Sequence, residues 1–498
     1  MKIAIIGAGS VGFTRTLVRD ILTVPELRET QFALMDINLR NAEMVAQLLD
    51  KDISAAGFPA ELHLTTDQRE AISGANYVIC CIRHGGLEAF ATDVEIPLAY
   101  GVDQCVGDTL GPGGIMYGQR HIPVILSICK DIREVAEPGC LFLNYSNPMA
   151  MLTWAAAKHG GVDVVGLCHG VQGGHHLIAS AFGLKKQEVD VICAGINHQT
   201  WYVQIRHQGK DLTGELLAAM EAHPTISQTE KVRIDMLRRF GYFSTESNGH
   251  LSEYVPWYRK RPEDIPQWID TSSWINGETG GYLRVCTEGR NWFEHDFPNW
   301  LAEVPYDFAP EKRSEEHGSF IIEGRETGRV YRGHFNRVNC GTISNLPSDC
   351  IIEAPGYVDG NGIQMTVVGD LPLGCAAVCS ASVSVQRLAV EAAMHGDVDL
   401  LKQAMMLDPL TGAVCDPRQI WQMADELLVA QAEWLPQYAA EIPNAKARLD
   451  RGPLVPTNRE NRGAVRIHTK TVEEMEQGHS AGKETAGKSD KAGMTSPS

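Results

Sequence analysis

Cys168 and His198 offer a soft thiolate and an imidazole thirty residues apart, in Gly166-Leu-Cys168-His169-Gly170 and Gly195-Ile-Asn197-His198. Each follows an apolar run that reads as a strand, so both side chains would reach the same edge of a sheet. There they would make half of a divalent-cation site, with water or ligand oxygens completing the shell. Either residue alone is more often an ordinary core side chain. On type and position the two readings stand level.

A second constellation lies at the N-terminus. The run Lys2–Ile6 ends in Gly7-Ala-Gly9-Ser10-Val11-Gly12, and an apolar-periodic segment follows. Strand, glycine turn and helix in that order make a dinucleotide fingerprint: Gly7 permits the tight turn, Gly9 lets backbone approach a pyrophosphate, and Gly12 lets the helix pack close to the strand. Free N–H groups at the helix start, around Ser10 and Val11, would hold the anion. Asp36 ends the next apolar run, where a carboxylate binds a ribose diol and repels a 2′-phosphate. NAD is favoured over NADP.

Two loops sit where the same sheet edge is expected. Asp108-Thr-Leu-Gly111-Pro-Gly113-Gly114 places clustered glycines beside a carboxylate, either a plain loop or one built for close backbone approach. Asn147 precedes Pro148 after a strand; it could bind a hydroxylated ligand or simply begin a turn.

The elements that must position these residues alternate. Apolar runs at residues 2–6, 31–35, 61–64, 76–82, 140–143, 162–167 and 189–193 are separated by helical stretches, the pattern of a Rossmann-like doubly wound parallel sheet over residues 1–195. Residues 196–455 read as a mainly helical α+β domain. Residues 456–498 hold no aromatic and few large aliphatics, which predicts a disordered tail.

Composition narrows the partners. With 498 residues, 44% of them hydrophobic, the chain can bury a large core. A net charge of −18 argues against nucleic acid, whose binding depends on clustered Lys and Arg. The N-terminus lacks a signal-peptide core, and no run of about twenty apolar residues is seen, so no membrane partner and a cytoplasmic location are expected. The thirteen cysteines are scattered rather than spaced as a framework. Cys375 and Cys379, at helical spacing, read as small core residues.

The motifs together resemble glycoside hydrolase family 4. They are Gly7-Ala-Gly9-Ser10, Asp108 to Gly114, Asn147-Pro-Met-Ala150, Cys168-His169, Gly195-Ile-Asn197-His198, and Gly241-Tyr-Phe-Ser-Thr-Glu246-Ser247 through Glu253-Tyr254-Val-Pro-Trp257. The likeness spans residues 3 to about 440 and is nearest to the α-galactosidase branch. It implies glycoside hydrolysis by redox-assisted elimination rather than by two carboxylates. In that scheme NAD⁺ takes the C3 hydride, a base removes the acidified C2 proton beside a divalent metal, usually Mn²⁺, the C1 group leaves, water adds, and the hydride returns.

Carried over by position, Cys168 and His198 resemble the metal ligands and Asn147 a substrate-binding amide. Tyr254 resembles the C2 base, with Asp108 placed to assist its deprotonation, and His169 resembles the leaving-group acid. Arg83, ending the fourth strand, could face a sugar hydroxyl or a C6 carboxylate. Phosphosugar members carry Asn or Asp after the metal cysteine, so His169-Gly170 implies an unphosphorylated glycoside. Gly170 stands where the α-galactosidase branch has Ser, a feature shared with the uronidase and α-glucosidase branches; galactoside, glucuronide or galacturonide, and glucoside stay open. An NAD-dependent sugar or 2-hydroxyacid dehydrogenase, or a non-catalytic NAD sensor, would share the nucleotide domain. Self-association into a dimer or tetramer is expected of the broad helical second domain.

Overall fold

A computed structural model describes residues 1–485, with side chains through residue 478. Six strands, β1 (Lys2–Ile6), β2 (Gln31–Met35), β3 (Glu61–Thr65), β4 (Tyr77–Cys80), β5 (Leu141–Asn144) and β6 (Asp163–Gly166), lie parallel in the order 3-2-1-4-5-6. This is the Rossmann order, whose ligand crevice opens at the carboxyl ends of β1 and β4 where the winding reverses.

Because successive strand residues point to opposite faces, each strand feeds two cores. Ile3 and Ile5 of β1 join Leu17, Val18 and Ile21 of the helix Val11–Thr23 on one side. Ala4 and Ile6 face the other, with Val78, Phe142 and Ile115. Burial on both faces explains why β1, β4 and β5 are mostly apolar, while the edge strand β3, Glu61-Leu-His-Leu-Thr65, alternates.

Seven further strands follow: β7 (Asp190–Ile196), β8 (Gln199–His207), β9 (Lys210–Asp211), β10 (Phe243–Ser244), β11 (Tyr331–Val338), β12 (Ile351–Asp359) and β13 (Gly362–Met365). The expectation that the run at 189–193 continues the parallel sheet is not met. Ile196 pairs with Gln199, so two residues turn β7 straight back into antiparallel β8. A parallel neighbour would need a crossover of a dozen or more residues. β11 and β12 fill the gap instead, joining Gly166 to Asn336 and Glu353 to Gly195, both antiparallel. The sheet therefore runs continuously across the boundary expected at residue 195, which falls inside β7.

The second half is otherwise helical. Its helix Leu373–His395 is, among the described residues, long and apolar enough to cross a membrane by length and composition. Its apolar content serves the interior: Cys375, Cys379, Val383, Ala389 and Val390 are buried, with the helix packed on Gly111–Val135 and Val398–Leu407. The two cysteines are core residues as expected.

The disordered tail is corrected over residues 456–485; residues 486–498 lie outside the described residues. The main chain of Asn458 donates to Ala99 O, Ala464 N to Asp103 Oδ2 and Val465 N to Thr279 Oγ1, while Arg466 pairs with Glu95. A helix spans Val472–Thr485. Order here comes from hydrogen bonds to a finished surface, a source that apolar composition does not register.

Candidate active site

Most of the functional side chains are delivered by the end of a strand or the start of a helix, and Tyr254 by the end of one. At the N-terminal turn, Gly7 and Ala8 both donate to Met35 O, and Gly9 N donates to Asp36 Oδ2 at 2.8 Å. A Cβ at Gly9 would lie 2.8 Å from that carboxylate oxygen, so glycine is required for the carboxylate to lie against the turn. Ser10 caps the helix with no side-chain bond of its own, leaving the first N–H groups and its hydroxyl to a ligand. Gly12 departs from expectation: a Cβ there would meet nothing within 4 Å, so close helix packing is not its reason. Gly12 is exposed at the open helix start, where the free N–H groups of the first turn are accessible to an anion, and the turn fits a dinucleotide.

The turn reaches the second constellation through Phe13, whose ring centroid lies 6.0 Å from that of His169. Cys168 follows β6, and His198 is the second residue of the β7–β8 hairpin turn, held in the left-handed region at φ +60°. Cys168 Sγ donates to Glu246 Oε2 at 3.4 Å, and His198 Nε2 stands 3.8 Å from the same oxygen. The three donor atoms lie within 4.8 Å of one another.

A chain of hydrogen bonds settles the form of His198. Asp108 Oδ1 accepts from Thr109 Oγ1 at 2.8 Å, so that hydroxyl has given up its only proton. The 3.0 Å contact between Thr109 Oγ1 and His198 Nδ1 must then be donated by the imidazole. With the proton on Nδ1, Nε2 is the nitrogen turned toward Cys168 and Glu246 and is the one a metal would take, and Thr109 and Asp108 act as orienting partners of the ring. The donor set of thiol, imidazole and carboxylate fits a divalent cation.

Tyr254 ends the helix Asn248–Tyr254, and its hydroxyl lies 3.4 Å from His198 Nδ1. Burial, then the charges of Glu253 and Asp108, push this phenol well above its ordinary range. Asp108 bonds Thr109 and Asn147 Nδ2, the latter at 2.9 Å, rather than Tyr254. The negative charge of Asp108 opposes phenolate formation, while Thr109, bonded to Asp108, also hydrogen-bonds the Tyr254 hydroxyl and eases its ionisation.

His169 pairs with Glu316. Burial disfavours the imidazolium, yet the bond and charge of Glu316 outweigh it, and the net shift is upward. Arg83 is set apart in a polar and aromatic box, donating to Tyr117 Oη at 2.9 Å, Tyr282 Oη at 3.0 Å and Cys286 Sγ at 3.3 Å.

Four participants escaped sequence reasoning. Glu246 had been noticed only as part of a motif, and Thr109 only as a neighbour of Asp108. Glu316 meets His169 across 147 residues of chain, a separation that leaves no local signal. Glu253 accepts from the N–H groups of Cys105, Val106 and Gly107 at 2.6, 3.0 and 3.1 Å, so the helix carrying Tyr254 also clamps the loop entering Asp108.

Glu253 supplies a pH signature. Burial pushes it up to about 7 against the opposing pull of the three amides and Arg259. The folded chain thus holds this proton more tightly than the unfolded chain, where a glutamate titrates near about 4.3. The stabilisation is complete below about pH 4 and lost as pH rises through about 7. Glu253→Gln does not titrate, so from pH 5 to pH 8 its melting temperature should improve relative to wild type, by the equivalent of up to about 3 kcal/mol. A pH-independent difference would contradict this.

The Family 4 glycosyl hydrolase model matches residues 2–184, and the model of that family's C-terminal domain matches residues 193–411. The chain belongs to the family 4 glycosyl hydrolases. It is 59% identical over 475 residues to an alpha-galactosidase of Rhizobium meliloti (strain 1021), covering 95% of this chain and 96% of that one. An alpha-galactosidase of Bacillus subtilis (strain 168) is 33% identical, with 88% and 99% covered. Among solved structures, the putative glucosidase lplD from Bacillus subtilis superposes with a TM-score of 0.74 at 27% identity, covering 86% of this chain and 99% of that one. A glycoside hydrolase is thereby established over a plain dehydrogenase or a non-catalytic sensor.

Proposed function

We propose that the chain hydrolyses unphosphorylated α-galactosides, using NAD⁺ at the glycine turn and a divalent cation, Mn²⁺ by preference, at Cys168 and His198. The observation that carries this reading is the convergence of Cys168, His198, Tyr254, Asp108 and Asn147 at the carboxyl edge of a dinucleotide-type sheet. Identity to two alpha-galactosidases supports the substrate. When bound, the nicotinamide supplies a hydride acceptor at C3 and the cation supplies positive charge for the C2 and C3 oxygens.

The protein's own groups do the rest. Asn147, its amide nitrogen held by Asp108, presents its remaining hydrogen-bonding capacity to a sugar hydroxyl. Tyr254 removes the C2 proton, since its hydroxyl borders the imidazole of the metal pair. His169 holds a proton against Glu316 and delivers it to the leaving oxygen at C1. The same reading carries a cytoplasmic location and self-association into a dimer or tetramer, which light scattering tests.

One observation favours an α-uronidase instead: Arg83 has no carboxylate partner among the described residues, as a C6 carboxylate would require. A panel of nitrophenyl α-galactoside, α-galacturonide, α-glucuronide and α-glucoside, with NAD⁺ and Mn²⁺ under reducing conditions, decides between them. The α-galactoside should be hydrolysed fastest, with no net NADH. Preference for a uronide would move the substrate, and NADH accumulating in step with product would refute the redox-neutral cycle.

A further inference from the structure

Gly170 and Glu246 form a pair set by space. Gly170 opens the helix Gly170–Ala181, and its backbone is not in the left-handed region, so its conformation does not require glycine. Space does. A Cβ at residue 170 would lie 1.9 Å from Glu246 Oε2 and 2.9 Å from its Cδ. The Glu246 carboxylate fills the volume that every other residue type would occupy.

The main chain that carries the carboxylate is also fixed. Arg233, buried, donates to the main-chain carbonyl of Glu246 at 3.1 Å and of Ser244 at 3.3 Å, while Thr245 N donates to Thr200 O at 2.9 Å. Among the described residues the Glu246 side chain pairs with no Lys or Arg: its polar contacts are the Cys168 thiol and the His198 imidazole. Glu353, opposite Gly195 in the sheet, adds a second buried acid nearby. A thiol, an imidazole and a carboxylate thus converge at one place, with the His169 imidazole near enough to feel the charge of Glu246.

The separations suit ligation. Two donors held about 2.0–2.3 Å from one ion at angles of about 90–110° stand roughly 2.8–3.7 Å apart. Sγ to Oε2, at 3.4 Å, falls inside that range, and Nε2 to Oε2, at 3.8 Å, lies just beyond it, so a small inward movement of the Glu246 side chain would bring both to ligating distance. We infer that Glu246 is a third protein ligand of the catalytic cation, and that Gly170 is the vacancy that admits it. This rests on the proposed reading of Cys168 and His198 as metal ligands. A thiolate and a carboxylate would balance the ion's double charge, leaving the remaining positions to substrate oxygens and water. A carboxylate also tilts a thiolate–imidazole site toward Mn²⁺, because it is the harder donor.

The test uses the full chain with NAD⁺ present and reads metal binding directly. Free Mn²⁺ is followed by electron paramagnetic resonance, and Co²⁺ by its thiolate charge-transfer absorption. Glu246→Gln should raise the Mn²⁺ Kd about 10–100-fold, a loss of the size that mutations around metal ligands produce. Gly170→Ala should do the same by displacing Glu246, and the double variant should be no worse than either single one, since both remove one interaction. Circular dichroism establishes that each variant is folded; should Glu246→Gln not fold, Gly170→Ala with the Co²⁺ spectrum carries the test. A Mn²⁺ Kd within twofold of wild type in Glu246→Gln, or additive losses in the double variant, overturns the inference. If wild type shows no thiolate–Co²⁺ band, the reading of Cys168 has failed instead; a band with unchanged Mn²⁺ affinity in Glu246→Gln sinks Glu246 alone.

Discussion

Tyr254→Phe should lower kcat by about 10²–10⁴-fold, the range a positioned general base contributes, while leaving NAD⁺ affinity unchanged. The side chain is 1% exposed, and its ring packs in the core, so phenylalanine keeps the packing and loses only the hydroxyl. That hydroxyl contacts His198 at 3.4 Å, a bond whose loss costs about 1 kcal/mol of stability and leaves the fold intact. Burial first, then the charges of Glu253 and Asp108, favour the neutral phenol and outweigh the Thr109 hydrogen bond that favours the anion. A phenolate therefore demands a compensating positive charge beside His198. It follows that chelating the metal from wild type and removing the hydroxyl should each stop turnover, and that combining them should cost little more, because both disable one proton transfer. With substrate deuterated at C2, wild type should wash label into solvent and the variant should retain it. Near-normal turnover by Tyr254→Phe would exclude it as the base.

Tyr254 also shows what a sequence conveys. The glycine turn, Asp36 and strands β1 to β6 were legible because local rules govern them: a buried parallel strand reads as an apolar run, and a turn around a phosphate needs glycine at fixed offsets. Cys168 and His198 were legible as a pair because each follows such a run. What failed was connectivity decided at long range. Nothing near residue 190 announces that β11 and β12, more than 130 residues later, will lie between β6 and β7. The tail misled because main-chain hydrogen bonds to Ala99, Asp103 and Thr279 carry no composition. That Asp108 bonds Thr109 and Asn147 directly, and reaches Tyr254 only by way of Thr109, is a matter of ångströms that spacing along the chain does not convey. Gly170 was visible as an oddity; only the position of Glu246 explains it.

Cys168→Ser should weaken Mn²⁺ binding by at least about 10–100-fold, with turnover at ordinary Mn²⁺ concentrations falling in proportion. Serine preserves the shape and can still donate to Glu246, so the loss would be chemical rather than structural. Burial, with the charges of Glu246 and Glu353, pushes the Cys168 thiol well above its ordinary range; the site without a cation holds a neutral thiol. A divalent ion reverses that balance, since a coordinated thiol is deprotonated outright. A serine hydroxyl, far less acidic, gives no such anion and is a hard donor besides. The variant should therefore lose affinity for a soft ion such as Cd²⁺ more than for Mn²⁺, and for Mn²⁺ more than for Mg²⁺. Glu246→Gln should rank the ions in the opposite sense, because it removes the hard donor and keeps the soft one. Titrating the three ions against both variants thus separates the roles of the two side chains. Equal losses for Cd²⁺ and Mg²⁺ in Cys168→Ser would mean that the thiol shapes the site without binding the ion.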